Sequence, residues 1–345
     1  MEQTNLDFKL KAYSIEDEPF SVYGVFLENG KYRRLPEKVA RSVSEGVYEL
    51  HVNTAGGRVK FVTDSRVIAI RAKMCSLGKM PHFPLTGSAG FDLYTGVQEE
   101  YYGTFIPHFE ISDGYESELH FQTGELREIT INFPLYSGVE SLWIGLEEQA
   151  VLRKSSGYRY TRPMVFYGSS ITQGGCASRP GMSYESIVSR TLRTDYVNLG
   201  FSGNARAEEE IAEYISNLNM SVFVYDYDHN APNLAHLEKT HSRMFRQIRE
   251  KNPDLPVVML SRPKYRLTRE EEARLAVIRK TYEDALRAGD RNVYLIEGLE
   301  LMRYAENEGT VDDCHPNDLG FWSMAKVLIP QLRKCLTGEN CVYDA

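Results

Sequence analysis

Between about residue 12 and residue 150, apolar residues recur at every second position. Val59 and Phe61, Ile68 and Ile70, Ile129 with Ile131 and Phe133, and Leu142 with Ile144 and Leu146 all alternate with polar neighbours. That period belongs to strands with one face buried. Turn signals cut the strands at short intervals, at Glu28-Asn29-Gly30, Ala55-Gly56-Gly57, Ser112-Asp113-Gly114 and Ser137-Gly138. With no amphipathic helical run between them, the strands predict an antiparallel, jelly-roll-like sandwich. Pro134 falls at a strand end, where a missing N–H is tolerated.

The pattern changes after Lys154-Ser155-Ser156-Gly157-Tyr158, a polar, glycine-containing stretch that reads as a linker. The chain therefore divides into an all-β unit, 1–157, and a second unit, 158–345. In the second unit short apolar runs predict strands at 164–167, 196–199, 222–225, 257–260 and 293–296. Between them, helical spacing covers 184–192, 208–218, 234–250 and 269–287, and a last helix runs over 319–335. Asn252-Pro253 closes the third of these helices. Regular alternation of strand and helix predicts an α/β fold, a three-layer arrangement with a parallel sheet covered on both faces. Ligands of such sheets bind beyond the carboxyl ends of the strands.

Composition narrows the function. With 345 residues, 42% of them hydrophobic and 26% charged, the chain is long enough for two cores. A formal charge of -8 opposes a nucleic-acid surface, which needs a basic field. No apolar run approaches the roughly 18 residues of a membrane span. The first residues lack the basic and apolar regions of a signal peptide, so cytoplasmic residence is the default expectation unless a leader has been removed. Five cysteines, Cys75, Cys176, Cys314, Cys335 and Cys341, show no metal spacing and read as reduced thiols, with a Cys335–Cys341 bridge as the minor alternative. Cys314, beside a histidine and after Asp312 and Asp313, reads as a buried structural thiol rather than a nucleophile.

Four loops that follow strands carry chemistry. The first strand stops at Gly168-Ser169-Ser170, with Gly174 and Gly175 close behind, a corner that holds a hydroxyl clear of the sheet. The second is followed by Gly200-Phe201-Ser202-Gly203, the third by Asp226-Tyr227-Asp228-His229-Asn230. The stretch Asp312-Asp313-Cys314-His315 precedes the last helix. Acyl transfer needs this inventory: a serine, an imidazole to take its proton, and a carboxylate to fix the imidazole tautomer. Asp312 and His315 are three residues apart and can meet within one turn. Oxyanion donors are the Ser170 N–H, the Gly203 N–H and the Asn230 side chain.

These four blocks resemble those of the SGNH (GDSL-like) hydrolases, whose catalytic Ser, Gly, Asn and His lie in separate, ordered segments. The resemblance covers about 160–335 and aligns Ser170, rather than Ser169, with the nucleophile. It likewise aligns Gly203, Asn230 and the Asp312–His315 pair with the remaining blocks. Gly90-Phe91-Asp92-Leu93-Tyr94 resembles the Gly-x-Asp-Leu-Tyr signature of a sandwich domain that precedes one subgroup of these enzymes. Two departures stand out. Ser169 replaces the usual aspartate of the first block, and Asp228 and Ala231 flank the third.

The resemblance implies a metal-free serine esterase that needs no cofactor and acts through an acyl-Ser170 intermediate. The expected substrate is a short-chain ester, acetyl first, of a small molecule or glycan. An acyltransferase using the same intermediate is the alternative, and a glycan-binding protein with a degenerate site is a third. Asp92 and Tyr94 either reach the cleft or brace the interface between domains. Asp228 either binds a substrate hydroxyl, points away or pairs with an arginine such as Arg206. His229 is a further substrate-binding candidate. His229, His236 and His241 do not share a helix face and read as solvated surface. The run Arg269 to Arg274 reads as an exposed helix face with Glu270 and Arg274 paired. Tyr94, Tyr101, Tyr102, Tyr115 and Tyr136 read first as strand-filling aromatics, and second as platforms for sugar rings.

Overall fold

The computed structural model describes residues 10–338. Cys341, and with it the alternative Cys335–Cys341 bridge, lies outside them.

The alternating residues of the first half fold as their period requires. One antiparallel sheet orders Leu10–Ser14, Gly138–Glu147, Val67–Ser76 and Gly114–His120. The other orders Leu152–Arg153, Arg58–Thr63, Arg127–Asn132, Phe91–Thr95 and Glu100–Phe105, with Ser21–Tyr23 paired on Arg58–Thr63. Val59, Phe61, Ile68, Ile70, Ile129, Ile131, Leu142, Ile144 and Leu146 all point inward and are buried in one core. This is a sandwich closed by cross-strand apolar pairs.

The first half also carries two short helices that its strand pattern does not announce, Glu37–Val43 and Glu45–Leu50. Their buried residues Ala40 and Val47, with Leu35, join the core beneath the parallel sheet rather than the sandwich core. Too short to be stable alone, they are held by that packing.

Five parallel strands form the sheet of the second half: Tyr160–Gly168, Thr194–Gly200, Val222–Asp226, Val257–Leu260 and Val293–Ile296. In space their order is second, first, third, fourth, fifth. Two apolar cores cover its two faces, as the continuous apolar runs require. Capping side chains start the helices where expected. Asn233 accepts from the His236 N–H, Asn317 from the Gly320 N–H, and Thr268 with Glu271 closes a capping box.

The charge run on Arg269–Arg287 is less exposed than its sequence implies. Glu270 and Arg274 do pair, at 3.1 Å. Arg274 is nevertheless buried, because its guanidinium also donates to the Asp228 and Ala231 carbonyls at 2.7 and 2.9 Å. Glu271 is buried too, bound by Arg262 at 2.6 Å. His241 is likewise no surface residue. It is buried, stacks on Tyr225 with ring centroids 4.8 Å apart, and shares a 2.9 Å hydrogen bond with Thr281. Burial without a counter-ion pushes its imidazole down to about 3, so it stays neutral. His236 does lie near the surface, facing the Arg206 carbonyl at 2.8 Å.

Buried polar side chains tie the two halves together. Arg34 is fully enclosed and spends its donors on carbonyls from both sides: Leu50 and Asn53 on one, Asn198 and Gly200 on the other. Asp92 and Tyr94 are buried against the turn around Pro180–Met182, which favours the bracing reading of the two. Asp92 accepts from the Asn132 amide at 2.9 Å and from the Gly181 N–H at 2.8 Å, with Arg179 3.8 Å away. A side chain at Gly181 would strike the Tyr94 hydroxyl at 2.2 Å, so the turn packs directly on that ring. Of the other tyrosines, Tyr115 and Tyr136 are buried, and Tyr102 stacks on Phe121.

Burial raises the Asp92 carboxyl to about 6 against its partners' pull. Its folded-state value therefore lies above its unfolded one, and the folded form binds the extra proton between about pH 4 and 6. Stability from this group is full at the low end of that window and lost as pH rises through it. The stability of wild type relative to Asp92→Asn should fall by about 2 kcal/mol from pH 4 to pH 6.5. Urea denaturation at several pH values measures it, and a constant difference contradicts the assignment.

Candidate active site

The site lies beyond the carboxyl ends of the first three parallel strands. At the end of the first, Gly168 sits so close to its neighbours that a Cβ would stand 2.2 Å from the Asp226 carbonyl and 2.2 Å from the Thr172 hydroxyl. Only glycine permits that corner. The chain then turns into the single helical turn Ser170–Gln173. Ser169 is wholly buried and caps that turn, accepting from the Ile171 N–H at 3.2 Å. Ser170 stands at its start, 7% exposed, with its Oγ 2.9 Å from His315 Nε2.

His315 is fixed from the other side by one carboxylate. Asp312 Oδ2 takes the His315 Nδ1 at 2.8 Å, while Oδ1 accepts the backbone N–H of His315 at 2.7 Å and of Cys314 at 3.1 Å. Burial alone would raise the Asp312 carboxyl, but these hydrogen bonds outweigh it and hold the group below the usual carboxylate range. The carboxylate thus stays ionised, which favours the Nδ1–H tautomer and leaves Nε2 to accept from Ser170. Residues 145 positions apart are joined in one relay.

The loops bearing the other candidates are linked to each other. Asn230 Oδ1 accepts from the Ala205 N–H at 3.2 Å, which ties the third-strand loop to the second and leaves the amide's NH₂ end as its donor. Gly203 is at φ +71° on an open rim, with nothing within 4 Å of where a Cβ would be. Gln173 stitches the second loop to the nucleophile turn, accepting from the Ser202 N–H at 3.0 Å.

Of the three readings of Asp228, the structure shows the one in which it points away. It faces the interior, 2% exposed, and accepts from the Arg262 backbone N–H at 3.3 Å. It neither pairs with Arg206 nor meets solvent where a substrate hydroxyl would lie. Arg206 instead reaches the Gly203 carbonyl at 3.4 Å. His229 lies beneath the histidine loop, its Nδ1 3.6 Å from Cys314 Sγ. Burial, aided by Arg262, pushes its imidazole well below the ordinary value, so the ring is neutral. The Cys314 thiol is half-buried and raised, burial outweighing Arg262 and Lys264. It is a packing thiol set in cationic surroundings that the sequence does not reveal.

Residues from the sandwich also reach the site, which sequence reasoning missed. Tyr136 is buried and donates to the Ser170 carbonyl at 3.1 Å, and Phe83 packs edge-on against it at 5.1 Å. His82 lies with its ring centroid 5.6 Å from that of His315. Nothing in the local sequence marks Phe83 or His82, and Tyr136 reads there only as a strand-filling aromatic or a sugar platform, since their place beside the site arises only where two domains meet.

Residues 161–333 match the family model of the GDSL-like lipase/acylhydrolase family, and residues 10–152 match that for the N-terminus of SGNH-hydrolase-type esterases. The chain belongs to the GDSL-like lipase/acylhydrolase family, and it is an SGNH-type esterase. No curated protein matches it. Among solved structures, a protein of Bacteroides ovatus ATCC 8483 assigned as a GDSL-like lipase is similar along both lengths. The two share 28% identity and a TM-score of 0.85 over 95% of this chain and 98% of that one. The salicylyl-acyltransferase SsfX3 of a tetracycline biosynthetic pathway is 19% identical, with a TM-score of 0.76 over 93% and 96%. A family two carbohydrate esterase from Cellvibrio japonicus is 12% identical, with a TM-score of 0.64 over 95% and 98%. The last two show a shared fold.

Asn230→Ala is expected to lower kcat on an activated ester by about a hundredfold to a thousandfold, the usual effect of losing one preset oxyanion donor. It also frees the Ala205 N–H, at a stability cost of about 1 kcal/mol. Steady-state kinetics beside a melting curve separates the two, and a change in stability with kcat intact contradicts the donor role.

Proposed function

We propose that the protein is a serine esterase that removes a short acyl group, acetyl above all, from a hydroxyl of a carbohydrate or glycoside. The observation that carries the reading is the relay from Ser170 through His315 to Asp312, at 2.9 and 2.8 Å. In the first half-reaction Ser170 Oγ attacks the ester carbonyl carbon while His315 Nε2 takes its proton. Asp312 stabilises the imidazolium. Negative charge gathers on the former carbonyl oxygen, facing the Ser170 N–H, the Gly203 N–H and the Asn230 amide. The proton then passes to the leaving alcohol, giving acyl-Ser170. Water repeats the sequence in reverse and frees the acid.

Support for a small acyl group comes from the slight exposure of Ser170, with Tyr136 hydrogen-bonded to its carbonyl and Phe83 packed on that ring. Support for a carbohydrate alcohol comes from the fold shared with the Cellvibrio japonicus carbohydrate esterase. A second reading, transfer of the acyl group to another alcohol, is favoured by the fold shared with the salicylyl-acyltransferase. Water exclusion separates the two outcomes chemically.

Ser170→Ala should lose at least about a thousandfold in p-nitrophenyl acetate turnover, as removal of a triad member does. Wild-type rates should fall for acyl chains beyond about four carbons, because close packing around Ser170 resists added methylenes. A maximum at octanoate overturns the short-acyl reading. Product analysis with an added acceptor alcohol distinguishes hydrolase from transferase, since ester formed in excess of acid marks transfer.

A further inference from the structure

Two groups of metal-ligating side chains lie near the site. In one, Asp226, Asp228 and His229 bring their ligand atoms within 4.8 Å of one another. Asp226 and Asp228 in that group are buried, and the Arg262 charge acts on all three members, which opposes a cation there. The other is different in every respect. His82, Cys176 and His315 also place one ligand atom each within 4.8 Å of the others, two imidazoles and a thiol. Imidazole and thiolate are the donors that zinc prefers over magnesium or calcium.

We propose that His82, Cys176 and His315 form an inhibitory site for a thiophilic divalent cation, with zinc as its best occupant. Zinc–nitrogen and zinc–sulfur bonds of about 2.0–2.3 Å place tetrahedral ligands about 3.3–3.6 Å apart. The group needs only a small contraction to reach that spacing. Cys176 is buried and supplies a fixed floor, while His82 is exposed and free to turn its ring inward. The exposed side also gives the ion its path. Coordination releases the thiol proton to solvent, and water completes the fourth position.

The consequence follows from the relay. Each ring nitrogen of His315 is already committed, Nε2 to Ser170 and Nδ1 to Asp312. A cation that takes either one removes the general base or its orientation. One ligand comes from the sandwich domain and two from the hydrolase domain, so the site exists only in the assembled chain. The inference rests on the esterase reading for its activity readout alone, because the binding site is defined by geometry.

Zinc should inhibit p-nitrophenyl acetate turnover reversibly, with activity restored by a chelator and unaffected by magnesium or calcium. Each variant is normalised to its own metal-free rate. His82→Ala and Cys176→Ser should each raise the half-inhibiting zinc concentration at least about tenfold, as loss of a ligand must. Cobalt(II) titration supplies a readout independent of turnover. A thiolate-to-cobalt charge-transfer band should appear in wild type and in Ser170→Ala, and vanish in Cys176→Ser. If wild type turns over no ester, the cobalt band still decides the site. Absence of that band, or equal zinc sensitivity in wild type and in the exposed-site variant His82→Ala, overturns the proposal.

Discussion

One carboxylate organises the site. Asp312 uses both oxygens, one on two consecutive backbone N–H groups and the other on His315 Nδ1, so a single side chain sets both the turn and the ring that the turn carries. The turn lies at the surface, where loops are ordinarily mobile. Without those three hydrogen bonds the imidazole would have no fixed direction, and a serine delivered by a rigid sheet would face nothing definite. The sheet fixes the hydroxyl and the carboxylate fixes the base. The 2.9 Å contact between them is where a buried scaffold and a surface loop meet.

Much of this was legible before any coordinates. The period-two residues of the first half and the apolar runs of the second are long-range packing signals written locally, because burial of one face or of two leaves different patterns. The four loops were legible for the same reason, since a parallel sheet brings all its carboxyl ends to one edge. What escaped was whatever depends on a partner distant in the chain. Arg274 and Glu271 look exposed in a charged run, yet carbonyls and Arg262 bury them. His241 looks polar on a polar helix and is a stacking ring. The helices within 37–50 escaped because six or seven residues carry too short a period to register, and because their apolar side packs on the other domain.

Beside the apolar packing of Leu35, Ala40 and Val47, the interface between the domains holds polar groups that neither domain can satisfy alone. Arg34 has carbonyl partners on both sides, and burial pulls its guanidinium down to about 9 against the opposing influence of Tyr136 and Glu185. Such a group is costly in a separated domain and compensated only in contact. Asp92 is the converse, a buried acid whose acceptors meet an amide of its own sheet and a backbone N–H of the other domain. Polar interfaces of this type specify one relative orientation where an apolar one would tolerate sliding. That orientation is what lets Tyr136 support the Ser170 carbonyl and sets His82 beside His315.

The altered residues of the first and third blocks fit the same logic. Ser169 is fully buried, donates its N–H to the Asp226 carbonyl at 3.0 Å and caps the nucleophile turn with its hydroxyl. Asp226 and Asp228 are buried close by, and each carboxyl is raised, burial being the main cause and their mutual repulsion adding to it for Asp226. An aspartate at 169 would cap the turn equally well but would bring a third carboxylate into that enclosed space. A hydroxyl supplies the same hydrogen bond without the charge. Serine at 169 and aspartate at 228 are therefore two sides of one electrostatic arrangement, in which the interior behind the nucleophile accepts acidic groups from the third strand and not from the first.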